Sequence, residues 1–164
     1  MKQRVLLEPF DGVIDPSFKC KSEEFTNFYL HEMKELAEAK ILVPYIAKLE
    51  SSGKVVGFAT LTAKEVRREE IGGTAKFAMA PVALLGQLAT HEDHERQGIA
   101  ESLVGFVFSR AMNSANEVAS TGLLVDSVPS AVDYYTKLGF VKCKTIGKNR
   151  TNTKMFLLFP KKSE

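Results

Sequence analysis

The stretch Leu85-Gly86-Gln87-Leu88-Ala89-Thr90-His91-Glu92-Asp93-His94-Glu95-Arg96-Gln97-Gly98-Ile99-Ala100-Glu101-Ser102-Leu103-Val104 decides the fold. It reads as a strand, a polar turn and a helix. Val82 to Thr90 is apolar except for Gln87 and the terminal Thr90, which suits a central strand. His91 to Gln97 is polar and forms the turn. Gly98-Ile99-Ala100 opens a helix whose apolar positions Ile99, Leu103, Phe106, Val107 and Ala111 share one face. A helix that starts this way leaves backbone N–H groups without partners, and its positive dipole end attracts an anion. The small residues Gly98 and Ala100 leave room for the anion to approach. A phosphate or pyrophosphate is expected here; the alternative is that Gly98 only makes a tight turn.

Outward from that stretch, the chain of 164 residues has the size of one domain, expected over residues 1–164. With 45% hydrophobic and 26% charged residues it has the composition of a globular protein with a full core. Apolar runs fall well short of the ~20 residues of a membrane helix, so no membrane partner is expected. The opening Met1-Lys2-Gln3-Arg4-Val5-Leu6-Leu7-Glu8 is too short in apolar residues for an export signal. The chain is therefore expected in the cytoplasm, with Cys20 and Cys143 as reduced thiols.

Before the central strand, Gln3–Glu8 reads as a strand, and Ser22 caps a helix carrying Phe25, Phe28, Tyr29, Met33, Leu36 and Ala37. Ile41–Glu50 and Val55–Ala63 form a hairpin around Ser51-Ser52-Gly53-Lys54. Lys64–Ala75 reads as an exposed, charged excursion. After the long helix, Gly122–Val125 is a buried strand, and Pro129 starts a helix that Gly139 stops. Phe140–Lys144 and Lys154–Phe159 are the last strands. Strand–helix alternation in the second half predicts an α/β (α+β) fold, a mixed sheet flanked by helices.

Two motifs at this separation carry a resemblance. Leu88-Ala89-Thr90, the turn Arg96-Gln97-Gly98-Ile99-Ala100 and, later, Tyr134-Tyr135-Thr136-Lys137-Leu138-Gly139-Phe140 resemble the GNAT N-acetyltransferases. The resemblance implies a splayed central sheet and acetyl-CoA as cosubstrate. Leu88, Ala89 and Thr90 would line the pantetheine arm, which adds to the strand as a peptide adds to a sheet edge. Arg96, Gln97, Gly98, Ile99, Ala100 and Glu101 would hold the pyrophosphate. Tyr135 would protonate the departing CoA thiolate; without the motif it reads first as a core aromatic with a satisfied hydroxyl. Glu95 stands where the family has Gln or Arg, which implies a weaker local positive field and looser cofactor binding.

The first half resembles, more narrowly, the acetyltransferase toxins of bacterial toxin–antitoxin modules. Phe18-Lys19-Cys20, Glu24-Phe25-Thr26-Asn27-Phe28 and Val56–Ala63 carry this likeness, with Lys19 and Gln87 departing from the toxin pattern. That resemblance implies a charged tRNA as amine acceptor and an antitoxin as partner. Small amines, protein amines, or cofactor binding without turnover are the alternatives, and a homodimer that completes the site stays open. Phe140–Glu164 carries seven basic residues and one acid, a net +6, against −4 for the rest of the chain. Such an end suits a polyanion, through Lys142, Lys144, Lys148 and Arg150, or a charge-protected edge strand. His91 and His94 with Glu92 and Asp93 sit too closely in a turn for a metal site, so no metal is expected. No general base stands out.

Overall fold

A computed structural model of the protein describes residues 3–72, 78–144 and 151–161. Among the described residues the strands β1 (Val5–Pro9), β2 (Val43–Leu49), β3 (Val55–Arg67), β4 (Met79–Thr90), β5 (Gly122–Ser127), β6 (Val141–Lys142) and β7 (Thr153–Leu158) form a seven-stranded sheet in the order β1-β2-β3-β4-β5-β7-β6. Two compact units divide the chain, Met1–Thr62 with Gly86–Ser109 and Ala63–Leu85 with Arg110–Glu164. The sheet is mixed, as the strand–helix alternation predicts: β4 and β5 run parallel, while the other recorded pairs are antiparallel.

In the first unit, β1 (Val5–Pro9) pairs with β2 (Val43–Leu49) from Val5↔Leu49 to Pro9↔Tyr45. Strand β2 pairs with β3 (Val55–Arg67) from Val43↔Leu61 to Lys48↔Val55, with a register shift at Ala47/Lys48. Between them Gly53 takes the left-handed φ of +73° that closes the hairpin. The apolar residues of the first helical stretch do form the core: Phe28, Tyr29 and Met33 pack with Phe18, Ile46 and Phe58. The Tyr29 and Phe58 rings stack at 5.6 Å.

The expected single helix is two, α1 (Glu23–His31) and α2 (Met33–Glu38). Glu32 leaves helical geometry at φ −123°, ψ −36°, and the chain turns there so that Met33 is fully buried. As expected, Ser22 caps α1, its Oγ accepting from the Phe25 amide at 3.2 Å.

In the second unit the expected excursion is largely structured. Lys64–Arg67 completes β3, and α3 (Arg68–Ile71) follows. Val66 is the reason: it is buried with Val82, Leu124 and Phe156, so this charged segment has one inward residue. Residues 73–75 of that expectation lie outside the described residues. Strand β4 (Met79–Thr90) begins three residues earlier than expected and includes Pro81, whose carbonyl accepts from Thr121 N at 2.9 Å.

Helix α4 (Ile99–Ser114) connects β4 to β5 (Gly122–Ser127). Strand β5 pairs over its whole length with β7 (Thr153–Leu158). A Cβ at Gly122 would lie 2.5 Å from Leu157 O, so only glycine fits against β7. The expected strand Phe140–Lys144 shrinks to β6 (Val141–Lys142). Phe140 is instead drawn into the core beside Tyr135.

Candidate active site

The head of α4 is built from the turn upward. His91 is buried, its amide donates to Val56 O at 2.8 Å, and its Nδ1 accepts from the Asp93 amide at 3.1 Å. His91 thus caps the 3₁₀ turn Glu92–His94, with its ring edge-on to Phe18 at 5.8 Å. Among the described residues no three His, Cys, Asp or Glu side chains are grouped to hold a metal. Arg96 and Gly98 follow with left-handed φ of +60° and +79°. For Arg96 this backbone is a strained choice of the kind that concentrates at functional sites. A Cβ at Gly98 would meet nothing within 4 Å, so glycine is there for its φ and not for space.

The first bond of the helix runs from Ser102 N to Gly98 O at 3.0 Å. The amides of Ile99, Ala100 and Glu101 come before it and have no acceptor within the helix. Ile99 is buried and anchors the turn, whereas Arg96, Gln97, Gly98 and Glu101 are exposed and Ala100 is half-buried. Amides without helix acceptors at a dipole's positive end, an exposed guanidinium and an unobstructed glycine form a donor set that fits a pyrophosphate.

Strand β4 leads into this turn. Its parallel register with β5 runs from Ala83↔Leu123 to Leu85↔Val125, and the strand continues to Thr90. Beyond Leu85 the Gln87 amide donates to the Thr60 hydroxyl at 3.0 Å. A Cβ at Gly86 would stand 2.8 Å from that same Thr60 Oγ1. Ala89 is buried in the first core, and Leu88 and Thr90 are half-buried. Gly57 on β3 lets α4 come close: a Cβ there would lie 3.0 Å from both Ile99 and Leu103. Leu88–Thr90 and Arg96–Glu101 therefore belong to one unit, joined by the His91 cap.

Tyr135 belongs to the other unit. It sits in α5 (Val132–Lys137), which is entered through the 3₁₀ turn Pro129–Ala131. Gly139, at φ +101°, stops the helix as expected and turns Phe140 back. The Phe140 amide donates to Tyr135 O at 3.0 Å, and the two rings meet edge to face at 5.4 Å. Tyr135 is only 8% exposed. Burial, and secondarily Tyr134, pushes its hydroxyl up to about 12. Such a phenol keeps its proton at neutral pH and acts as a donor, not a base.

Sequence reasoning missed how the turn's acids are balanced. Glu95 is paired with Lys21 at 2.8 Å and Glu92 with Lys19 at 3.7 Å. Both lysines come from the loop before α1, and no local pattern links segments so far apart. Of the basic C-terminal set, Lys142 and Lys144 are exposed. Lys154 is instead committed to Glu70 at 3.4 Å, both side chains being mostly buried. Lys148, Arg150 and Lys162 lie outside the described residues.

No helix among the described residues is long and apolar enough to cross a membrane. No curated protein matches the sequence. Solved structures do match. A bacterial toxin superposes with a TM-score of 0.87 at 20% identity, covering 96% of this chain and 92% of that one. AtaT complexed with acetyl-methionyl-tRNAfMet matches at 0.84 and 22% identity, covering 94% and 95%. A tyrosine-to-phenylalanine mutant of KacT matches at 0.84 and 22%, covering 96% and 95%. The model of the acetyltransferase (GNAT) domain matches residues 42–142, from β2 through β6, so the chain belongs to the GNAT family and is an N-acetyltransferase.

Proposed function

We propose that this acetyltransferase moves the acetyl group of acetyl-CoA onto the α-amino group of an aminoacyl-tRNA, as a toxin of a toxin–antitoxin module. One observation carries the cofactor half of the proposal. The amides of Ile99, Ala100 and Glu101, which have no acceptor within their helix, stand at the end of the turn that follows β4, a strand whose β5 register ends at Leu85. In this reading those amides with Arg96, Gln97 and Gly98 hold the pyrophosphate, and the backbone of Leu88, Ala89 and Thr90 pairs with the pantetheine arm. Acetyl-CoA supplies an activated acyl group on a thiolate leaving group. The amine nitrogen bonds to the acetyl carbon as the C–S bond breaks. The departing sulfur takes a proton from Tyr135, and the proton lost by the nitrogen restores the phenol through solvent. A hydroxyl held near 12 is in its donor form throughout the working range.

The acceptor half draws on the likeness to AtaT, whose solved complex contains acetyl-methionyl-tRNAfMet. The chemistry is compatible with the absence of an evident base. An α-ammonium loses its proton near pH 7.7–8.0, so about a tenth of the amine is already nucleophilic at pH 7 without help. Exposed Lys142 and Lys144 offer phosphate contacts that position a nucleic acid without reading its sequence. An antitoxin partner belongs to the same proposal, since a mutant of AtaT has been solved bound to the C-terminus of the antitoxin AtaR. Gln87 and Lys19, which depart from the toxin pattern, favour a second reading with a small or protein amine as acceptor. Expression separates the two. Induction in a bacterial host should arrest growth, and Tyr135→Phe should relieve the arrest; harmless expression of soluble wild-type protein would remove the toxin assignment.

A further inference from the structure

The phosphate-binding turn has the wrong charge for its ligand. Residues 91–101 contain Glu92, Asp93, Glu95 and Glu101 against the single cation Arg96. A polyanion brought to this turn meets four carboxylates, and Glu95 stands where the family places a polar or basic side chain. The fold supplies an answer from a distant segment. The loop before α1 is fixed against the turn: the Glu92 amide donates to Lys19 O at 2.9 Å, and Phe18, nearly fully buried, packs on His91. On its far side the loop is locked into α1, where the Cys20 amide donates to Thr26 Oγ1 at 3.0 Å and Thr26 Oγ1 donates to Ser22 O at 2.9 Å. Lys21 lies between these two anchor points, and its Nζ stands 2.8 Å from Glu95 Oε2.

We propose that Lys21 is a residue of the acetyl-CoA phosphate site, returning from the loop before α1 the positive charge that Glu95 removes from the turn. The proposal rests on acetyl-CoA binding at the head of α4. A structural role alone does not explain the pair. The Lys21 side chain is 74% exposed and that of Glu95 29%. Exposed pairs of this kind add little to stability, whereas a cation beside a phosphate site acts on every anion that arrives. The expectation of looser cofactor binding, drawn from Glu95 alone, changes accordingly: the pair together is close to neutral.

The test is acetyl-CoA titration by calorimetry, with thermal melting of each variant alongside. Lys21→Ala exposes Glu95 to the phosphates and should weaken binding roughly three- to tenfold at low salt. Glu95→Gln should move affinity the other way, because Lys21 is then free for phosphate. The double variant should return to within about twofold of wild type, Lys21→Arg should bind as wild type does, and high salt should compress the differences. Melting temperatures should stay together. If Lys21→Ala and Glu95→Gln both weaken binding, or if each loss follows a loss of melting temperature, the pair is a structural staple and the proposal is wrong. A wild-type protein that does not bind acetyl-CoA removes the cofactor reading itself and this proposal with it.

Discussion

Replacing Tyr135 by Phe removes one oxygen and should change two separate properties. The first is catalytic: in the proposed reaction the lost proton donor should lower turnover by roughly 10²–10⁴-fold, with acetyl-CoA affinity nearly unchanged. The second is the response of stability to alkali, and its sign follows from burial. The folded hydroxyl is pushed up to about 12 from an ordinary value of 10.0. Below pH 10 the phenol is neutral in both states and the stabilising difference is fully present. As pH rises from 10 to 12 the unfolded chain releases this proton and the folded one holds it, so stability is lost across that window. A rise from 10.0 to about 12 corresponds to about 3 kcal/mol. Tyr29, also raised by burial, adds a decline that is common to both proteins. The assay is urea unfolding followed by far-ultraviolet circular dichroism at pH 8, 10 and 11.5. Tyr135→Phe should match wild type within about 1 kcal/mol at pH 8 and fall less steeply above pH 10. Parallel declines in the two proteins would refute the placement of Tyr135 as a buried, protonated phenol.

Three further outcomes follow from single contacts. Gly86→Ala puts a Cβ 2.8 Å from Thr60 Oγ1 and should cost about 1–3 kcal/mol in chemical denaturation, part of it recovered by adding Thr60→Ala. Asp15→Ala removes the carboxylate that accepts from Val55 N and Ser17 N, both at 2.9 Å, and should cost about 1–3 kcal/mol at neutral pH. Burial opposes ionisation of that carboxyl, but the hydrogen bonds from Ser17 and Val55 win and hold it below its usual value. Its stabilisation is present above pH 3.8 and lost as pH falls through the folded value, so the deficit of the variant should shrink in acid. Burial, then Glu70, pushes the Cys143 thiol up to about 11, so native protein at pH 8 should alkylate there about 10²-fold more slowly than urea-unfolded protein, as followed by peptide mass.

The sequence made the strand–turn–helix from Val82 to Ala111 legible because every signal in it is local: an apolar run, a glycine that takes φ +79°, and one apolar helix face. Ser22 and Gly139 were readable for the same reason, each marking its own helix end. What failed depended on partners elsewhere in the chain. Lys64–Arg67 looks solvated because a strand with one inward residue, Val66, shows no alternation until Val82, Leu124 and Phe156 cover it. Phe140 looks like the start of a strand, but its ring is needed against Tyr135. The break at Glu32 leaves no mark in the apolar spacing, since Met33 remains on the buried side. At the candidate site the amides and Tyr135 follow from the motif, while Lys21 does not. Its relation to Glu95 arises only when the loop before α1 folds onto the His91 turn.

The central claim is acetyl transfer to a charged tRNA. It is tested most directly by incubating purified protein with acetyl-CoA and aminoacyl-tRNA, digesting the RNA, and measuring the mass of the 3′-terminal aminoacyl-adenosine beside the free thiol released. The account predicts one N-acetyl group on the amino acid for each thiol, none on deacylated tRNA, and a rate cut about 10²-fold or more by Tyr135→Phe. Thiol release with free or protein amines, but an unchanged aminoacyl-adenosine, would contradict the tRNA assignment and leave an acetyltransferase of another acceptor.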